Sequence, residues 1–149
     1  MIVYAESSAV LAWLLGEATG ESVRRVLGAA ETVMTSDLTL VECDRAFHRA
    51  RTLGALTAEE FTERSEDLER LSKGWALLRL SPEIVERARG PFPEGPVRSL
   101  DALHLASVAK VAEFEPGVVL LAHDKRLRRS AIAMGLRVSP DPVGTGPIG

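Results

Sequence analysis

The sequence has a single cysteine and no long apolar run, and each shortage excludes a class of protein. Cys43 is the one cysteine among 149 residues, so the chain cannot form an intrachain disulfide, which favours a reducing compartment. The longest unbroken apolar run covers residues 9–15 and is too short to cross a bilayer. No basic residue precedes Glu6 to indicate a secretory signal. We therefore predict a cytoplasmic protein that does not enter a membrane.

The chain also lacks an excess of basic residues. Its 18 Lys and Arg are outnumbered by 21 Asp and Glu, which gives a formal net charge of -3. No overall basic field attracts nucleic acid, so local patches would have to hold any such partner. The three histidines, His48, His104 and His123, share no spacing typical of zinc ligands. For His48 and His104 we expect a structural or surface role.

What the chain does have is enough apolar material for one core, arranged in an alternating pattern. Hydrophobic residues make up 46% of the sequence, which is sufficient for a single compact domain. Strand-like runs at residues 2–5, 32–35, 75–80, 117–122 and 136–138 alternate with helical patterns. Such alternation predicts an α/β fold with a mainly parallel sheet of four to five strands, covered by helices on both faces as a three-layer α/β/α sandwich. The expected domain covers residues 1–138, and residues 139–149, rich in Pro and Gly, form a loosely ordered tail.

Four carboxylates lie at the junctions between predicted strands and helices, or within the first two turns of the helix that follows. Glu6 follows the first strand, Asp124 follows the run at 117–122, Asp101 lies in the first turn of its helix, and Glu42 lies about a turn and a half into another. The carboxyl ends of parallel strands meet at one edge of a sheet, where ligands bind. Alternative interpretations are that Asp124 caps a helix and that Asp101 complements a helix dipole.

Carboxylates gathered at one edge repel one another unless a cation lies among them. Oxygen ligands select hard ions, so we expect Mg²⁺ or Mn²⁺ rather than zinc. Glu6, Asp101 and Asp124 are predicted as direct or water-mediated ligands, with Glu42 as a ligand or as the base for an attacking water. Ser8, two residues past Glu6, is predicted to orient a carboxylate or a metal-bound water; its alternative role is a helix cap.

Basic residues near these acids are candidates for binding a phosphate backbone. Arg49 lies seven residues after Glu42, on nearly the same side of a helix, and Arg45 lies one turn along. Both are predicted to contact phosphates of a bound substrate. A second basic patch beside the last acid comprises Lys125, Arg126, Arg128 and Arg129, where a solvated face is the simpler interpretation.

Four segments of the chain resemble a known family. Residues 4–11 (YAESSAVL), 35–42 (TSDLTLVE), 100–106 (LDALHLA) and 123–127 (HDKRL) are similar to PIN domains, particularly to VapC-type toxins, and they occur in the family's order over nearly the whole chain. The resemblance implies a metal-dependent endoribonuclease that acts as the toxin of a type II toxin-antitoxin pair, with a small antitoxin as partner and a homodimeric state. Glu6 departs from the family pattern, which has Asp after the first strand.

The sequence allows two other interpretations of the function to be considered. A phosphoacceptor signalling domain needs an Asp at the end of a central strand, and neither residues 34–36 nor residues 78–80 supply one. A catalytically weak PIN-like interaction module, which binds a partner or RNA without cleaving it, remains the alternative because of Glu6. For a homodimer, the thin apolar stripe of Phe61, Leu68 and Leu71 is a candidate contact.

Overall fold

The structure is a computed structural model, and it describes residues 1–140. Strands and helices alternate along this part of the chain as the pattern predicts. In chain order they are β1 (Ile2–Ala5), α1 (Ser7–Leu14), α2 (Gly20–Ala29), β2 (Thr32–Ser36), α3 (Asp37–Thr52), α4 (Ala58–Ser72), β3 (Ala76–Leu78), α5 (Pro82–Arg89), α6 (Ser99–Phe114), β4 (Val119–Leu121), α7 (Lys125–Ala133) and β5 (Arg137–Ser139).

All five strands pair in parallel, in the order β3-β2-β1-β4-β5. The first strand is therefore central, and Tyr4 pairs with Met34 on one side and with Leu120 on the other. Chain order runs outward in both directions from β1, which makes the carboxyl end of β1 the switch point where ligands bind in open α/β sheets. This sheet confirms the predicted fold class.

Successive side chains of β1 face opposite helix layers because side chains alternate along a strand. Tyr4 packs with Leu105 and Val108 of α6 in one apolar cluster, whereas Val3 and Ala5 pack into clusters formed with helices from the first half of the chain. Helices α1 to α4 therefore cover one face of the sheet, and α5 to α7 cover the other. Three layers result, as predicted.

The candidate dimer stripe on α4 is used inside the chain. Leu68 is buried, and Phe61 and Leu71 are partly buried against the same cluster, which also contains Phe47 of α3. The stripe therefore joins α4 to α3 and α1, and it does not offer a free apolar surface.

Some element boundaries differ from the expectation by one or two residues. Ser99, whose hydroxyl makes it a candidate helix cap from the sequence alone, is the first residue of α6, and Arg98 holds the N-cap position without a side-chain cap bond. Strand β5 ends at Ser139, the first residue of the predicted tail; residues 141–149 of that tail lie outside the described residues. Within residues 1–140, no helix is both long and apolar enough to span a membrane.

Candidate metal-binding active site

Glu6 is a buried carboxylate at the carboxyl end of the central strand. Its side chain is the N-cap of α1, accepting from the Ser8 backbone N–H at 3.0 Å. Ser7 Oγ donates to the other carboxylate oxygen at 2.6 Å, and Ser8 Oγ donates to the same oxygen as the Ser8 N–H. Glu6 is only 4% exposed. A charge removed from water to this extent needs such donors or a cation.

Ser8 connects two loops that are far apart in sequence. While its Oγ donates to Glu6, the same atom accepts from the backbone N–H of His123 at 2.8 Å and from that of Asp124 at 3.0 Å. The Glu6 N–H also donates to the Leu121 carbonyl at 3.0 Å. The loop after β1 and the loop after β4 are thus fixed against each other. Ser8 thus contacts Glu6, one of the carboxylates that the sequence predicts it to orient.

The side chain of His104 lies between the carboxylates of Glu42 and Glu6. His104 of α6 is 1% exposed, and its Nε2 lies 2.5 Å from Glu42 Oε1 and 3.8 Å from Glu6 Oε1. One ligand atom from each of these three side chains lies within 4.8 Å of the other two. His104 is therefore a buried residue that also belongs to the acidic site. The spacing of the histidines in the sequence does not indicate this position.

His104 has a hydrogen-bond partner at each ring nitrogen. An ionised carboxylate only accepts hydrogen bonds, so with Glu42 charged the Nε2 N–H donates to Glu42. The other ring nitrogen, Nδ1, lies 3.0 Å from the Tyr4 hydroxyl. Burial, the main cause, raises the pKa of Tyr4 to about 12, so the phenol keeps its proton, which it donates to Ser36 Oγ at 3.1 Å. The contacts with Tyr4 and with Glu42 together fix the orientation of the His104 ring.

Asp101 and Asp124 form a second acidic pair, and Arg98 lies between them. Arg98 Nε is 3.3 Å from Asp101 Oδ2, and Arg98 Nη2 is 3.7 Å from Asp124 Oδ2. Asp124 also caps α7, because its Oδ1 accepts from the Leu127 N–H at 2.9 Å. The capping interpretation of Asp124 is thus correct, and it leaves the second oxygen facing the site.

The four predicted acids are therefore arranged as two pairs at one edge of the sheet. Within the described part of the chain, the group close enough to share one ion comprises Glu6, Glu42 and His104, and neither aspartate belongs to it. Each pair holds a donor supplied by the chain itself, an imidazole N–H in one and a guanidinium in the other. Carboxylate oxygens are the ligands that a hard divalent cation prefers, and a bound cation would compete with these donors.

The two predicted phosphate-binding arginines share helix α3 with Glu42. Arg45 and Arg49 are both exposed, and within residues 1–140 neither forms an ion pair. Their guanidinium groups are thus accessible to an anion, although no contact joins them to the acids. In the second patch, Lys125, Arg126 and Arg129 are exposed at the start of α7.

Sequence reasoning missed Arg98 and the involvement of His104. A signal was present, since Arg98, Asp101 and His104 follow one another at intervals of three residues. Positions three apart are neighbours on a helix surface, so the spacing indicates that Asp101 lies next to both Arg98 and His104 at the start of α6. The spacing alone does not say which carboxylates of other elements they meet.

The chain is similar to known proteins over most of its length. A family model of the PIN domain matches residues 3–133. Ribonuclease VapC45 of Mycobacterium tuberculosis (strain CDC 1551 / Oshkosh) is 30% identical over 140 residues, which cover 93% of this chain and 95% of the relative.

Two solved structures share the fold at lower identity. Mycobacterium tuberculosis VapC20, described as a Sarcin-Ricin loop cleaving toxin, has a TM-score of 0.59 and 20% identity, with 85% of this chain and 93% of that chain covered. VapBC2 from Rickettsia felis, bound to a DNA fragment from their promoter, has a TM-score of 0.64 and 13% identity, with coverages of 93% and 98%. The family model and the 30% identical relative show that the chain belongs to the PIN domain family.

Proposed function

We propose that this protein is a metal-dependent endoribonuclease that hydrolyses RNA phosphodiester bonds and acts in the cytoplasm as the toxin of a type II toxin-antitoxin pair. Membership of the PIN domain family supports this proposal, as does a relative named ribonuclease that matches over nearly the whole chain. The observation that carries it is the buried Glu6 beside Glu42 and His104, at the switch point of the sheet. A carboxylate only 4% exposed, next to a second carboxylate at a ligand-binding edge, is costly for a fold unless hydrogen-bond donors or a cation compensate its charge.

Each acid has a role that follows from its surroundings. Glu6, Asp101 and Asp124 are the proposed metal ligands, direct or through water, and Mg²⁺ or Mn²⁺ is the proposed ion. Such an ion, when bound, polarises the phosphoryl oxygen and lowers the pKa of water. Glu42 Oε1 accepts from His104, which leaves its second oxygen to bind the metal or to take a proton from water. Ser8 keeps Glu6 in position and is a positioning residue.

RNA is an anion, and Arg45 and Arg49 are proposed to bind its phosphate backbone beside the acids. Arg49→Gln removes one charge and should weaken RNA binding. The slope of the logarithm of the RNA-binding constant against the logarithm of the salt concentration should become less steep by about 0.7, the change expected for one lost contact to a single strand. An unchanged slope would rule out a phosphate contact by Arg49.

The proposed protein partners are a small antitoxin and a second copy of this chain. We infer a small antitoxin as the cognate partner, because VapBC2 from Rickettsia felis is among the proteins that share this fold. Charge complementarity favours a partner that places Arg or Lys against the acids, which would compete with the metal. A homodimer is also proposed, although the α4 stripe does not supply its contact.

The proposed activity is tested by incubating a mixed RNA pool with the purified chain in Mg²⁺, Mn²⁺ or EDTA. Cleavage should occur with either ion and stop in EDTA. Asp101→Asn removes one charge from the proposed metal site and should reduce the cleavage rate by roughly a hundredfold or more, the scale of loss for a metal-positioning carboxylate.

Asp67→Asn is the matched control for this experiment. Asp67 is also a partly buried aspartate paired with arginine, contacting Arg64 and Arg70 on α4, but it lies outside the acidic site. Its variant should cleave RNA at the wild-type rate. Equal losses in Asp67→Asn and Asp101→Asn would show that the effect comes from stability and not from the site.

A second candidate function is an interaction module that binds RNA or protein without cleavage. The hydrogen bonds to Glu6 favour it, because three donors from Ser7 and Ser8 already occupy this carboxylate. A folded protein that binds Mn²⁺ in calorimetry but leaves every RNA of the pool intact would support the module over the nuclease.

A further inference from the structure

Arg98 is the cation that contacts both aspartates of the proposed site, and none of the motifs assigns it a role. Its guanidinium lies within ion-pair distance of Asp101 and of Asp124, in the geometry given above. Its backbone is held at the start of α6, where the Arg98 carbonyl accepts from the Ala102 N–H at 2.8 Å. The side chain itself is 64% exposed. Arg98 is thus anchored at its backbone and exposed at its guanidinium end.

The contacts that hold the guanidinium in place are weak. Both separations, 3.3 Å and 3.7 Å, exceed the roughly 2.7–2.9 Å of strong charge-assisted hydrogen bonds. Exposed ion pairs contribute little to stability because water screens them. A divalent cation on the same carboxylates carries twice the charge and cancels their attraction for the guanidinium. Arg98 can therefore leave the aspartates when a metal binds.

A side chain that reaches these carboxylates also reaches a phosphate oxygen placed beside them. The planar fork of Arg matches a phosphate as well as a carboxylate. The N-terminus of α6 adds partial positive charge at the same place, which further favours an anion there. When Arg98 leaves the aspartates, a phosphate of the substrate is the anion that its guanidinium can bind.

We propose that Arg98 is a substrate-binding residue with two partners. In the metal-free protein it is the counter-ion that holds Asp101 and Asp124 together, and in the metal-bound protein it binds a phosphate of RNA. This inference rests on the proposed function, because it places a divalent cation and RNA at the same site. It does not depend on whether the bound RNA is cleaved.

Binding of RNA is the first test, measured by fluorescence anisotropy with a labelled, mixed-sequence RNA pool in Ca²⁺ and in EDTA. A gel run after each titration checks that the RNA stays intact. With Ca²⁺, Arg98→Gln should weaken binding by about fivefold to tenfold, the scale of one exposed charge-assisted contact, and should lower the salt slope by about 0.7. In EDTA the same change should alter binding by less than about twofold, because there Arg98 is already engaged by the aspartates.

Binding of Mn²⁺ without RNA is the second test and does not involve activity. Arg98→Gln removes a cation that competes with the metal, so calorimetry should show Mn²⁺ binding tightened by roughly twofold to fivefold. Unchanged or weaker Mn²⁺ binding would overturn the role of Arg98 as a counter-ion.

Arg24→Gln is the matched control, because Arg24 is also an exposed arginine paired with a carboxylate, Glu21 of α2. It should leave both measurements unchanged. Equal weakening of RNA binding by Arg98→Gln in Ca²⁺ and in EDTA would overturn the proposal, as would no weakening in Ca²⁺. If Arg98→Gln does not fold, Arg98→Lys keeps the charge without the fork and should lose part of the Ca²⁺-dependent affinity; full retention would contradict the proposed phosphate contact.

The cleavage assay separates this inference from the proposed function. If the wild-type chain leaves RNA intact but Arg98→Gln shows the Ca²⁺-dependent loss, the nuclease proposal fails and the assignment of Arg98 holds. If the wild-type chain cleaves RNA and Arg98→Gln binds RNA normally in Ca²⁺, only the assignment of Arg98 fails.

Discussion

Ser8→Ala is the substitution that tests the architecture of the acidic site most directly. The hydroxyl makes three hydrogen bonds, one to Glu6 and one from each of the His123 and Asp124 backbone N–H groups. Alanine cannot replace any of them. Two backbone donors and one oxygen of a buried carboxylate would lose a partner. The loop after β4 would then be held less firmly against the loop after β1, although the bond from the Glu6 N–H to the Leu121 carbonyl remains.

The size of the effect follows from the number of groups left without a partner. An unsatisfied buried polar group costs about 1–3 kcal/mol. Ser8 is only half-buried, so water can replace some of the bonds, and we expect a loss of about 2–4 kcal/mol in the free energy of unfolding. Ser7→Ala removes one donor to Glu6 and should cost about 1 kcal/mol.

Urea denaturation in EDTA, followed by tryptophan fluorescence, measures these free energies without a contribution from bound metal. Ser22→Ala provides a background value, because Ser22 is half-buried like Ser8 and its hydroxyl donates to the backbone carbonyl of Thr19, far from the acidic site. Mn²⁺ calorimetry should also show about tenfold weaker binding in Ser8→Ala, the usual effect of losing a group that orients a metal ligand. A loss for Ser8→Ala no larger than that for Ser7→Ala would refute the reasoning.

Three further predictions concern the buried groups behind the site. His104→Leu removes the hydrogen bonds to Tyr4 and Glu42. Calorimetry should therefore show Mn²⁺ binding weakened by roughly tenfold or more. The control His48→Leu changes an exposed histidine and should leave Mn²⁺ binding unchanged. Tyr4 is the one tyrosine in the chain, so absorbance at 295 nm should show ionisation near its raised pKa of about 12. Between pH 10 and 12 the unfolded chain loses the phenolic proton first, so the free energy of unfolding should fall by on the order of 1 kcal/mol per pH unit as pH rises; an ordinary pKa near 10 would contradict this. Burial raises the pKa of the Cys43 thiol, and nearby acids add to the shift, so iodoacetamide at pH 8 should modify Cys43 in urea but not in the native protein, as mass spectrometry can check.

Much of the fold could be predicted because its determinants are local. Apolar runs of strand length and helical periodicity are properties of short segments, and the structure has each strand within a few residues of its expected place. The predicted end of the domain at residue 138 was less accurate, since β5 continues to Ser139 and a strand end depends on tertiary packing as well as on the local sequence. The parallel sheet followed from the alternation alone.

The site was predictable in its acids but not in their pairing. Glu6, Asp101 and Asp124 lie at strand ends or in first helical turns, and parallel topology brings all such positions to one edge. Whether two of them share a partner depends on which strands are neighbours. His104 bonds to Glu42 across 62 residues of sequence and Ser8 bonds to Asp124 across 116, and no periodicity within either segment encodes those contacts.

The sequence by itself therefore determined the α/β class, the membership of a family and the carboxylates that make the acidic edge, because periodicity, composition and short motifs are written along the chain. Only the tertiary structure decided that the four acids form two pairs, that His104 serves one pair and Arg98 the other, and that Ser8 joins the two loops. The physical reason is the strand order, which places β4 beside β1. That order results from burying both sheet faces at once, and it is a property of the whole chain rather than of any segment.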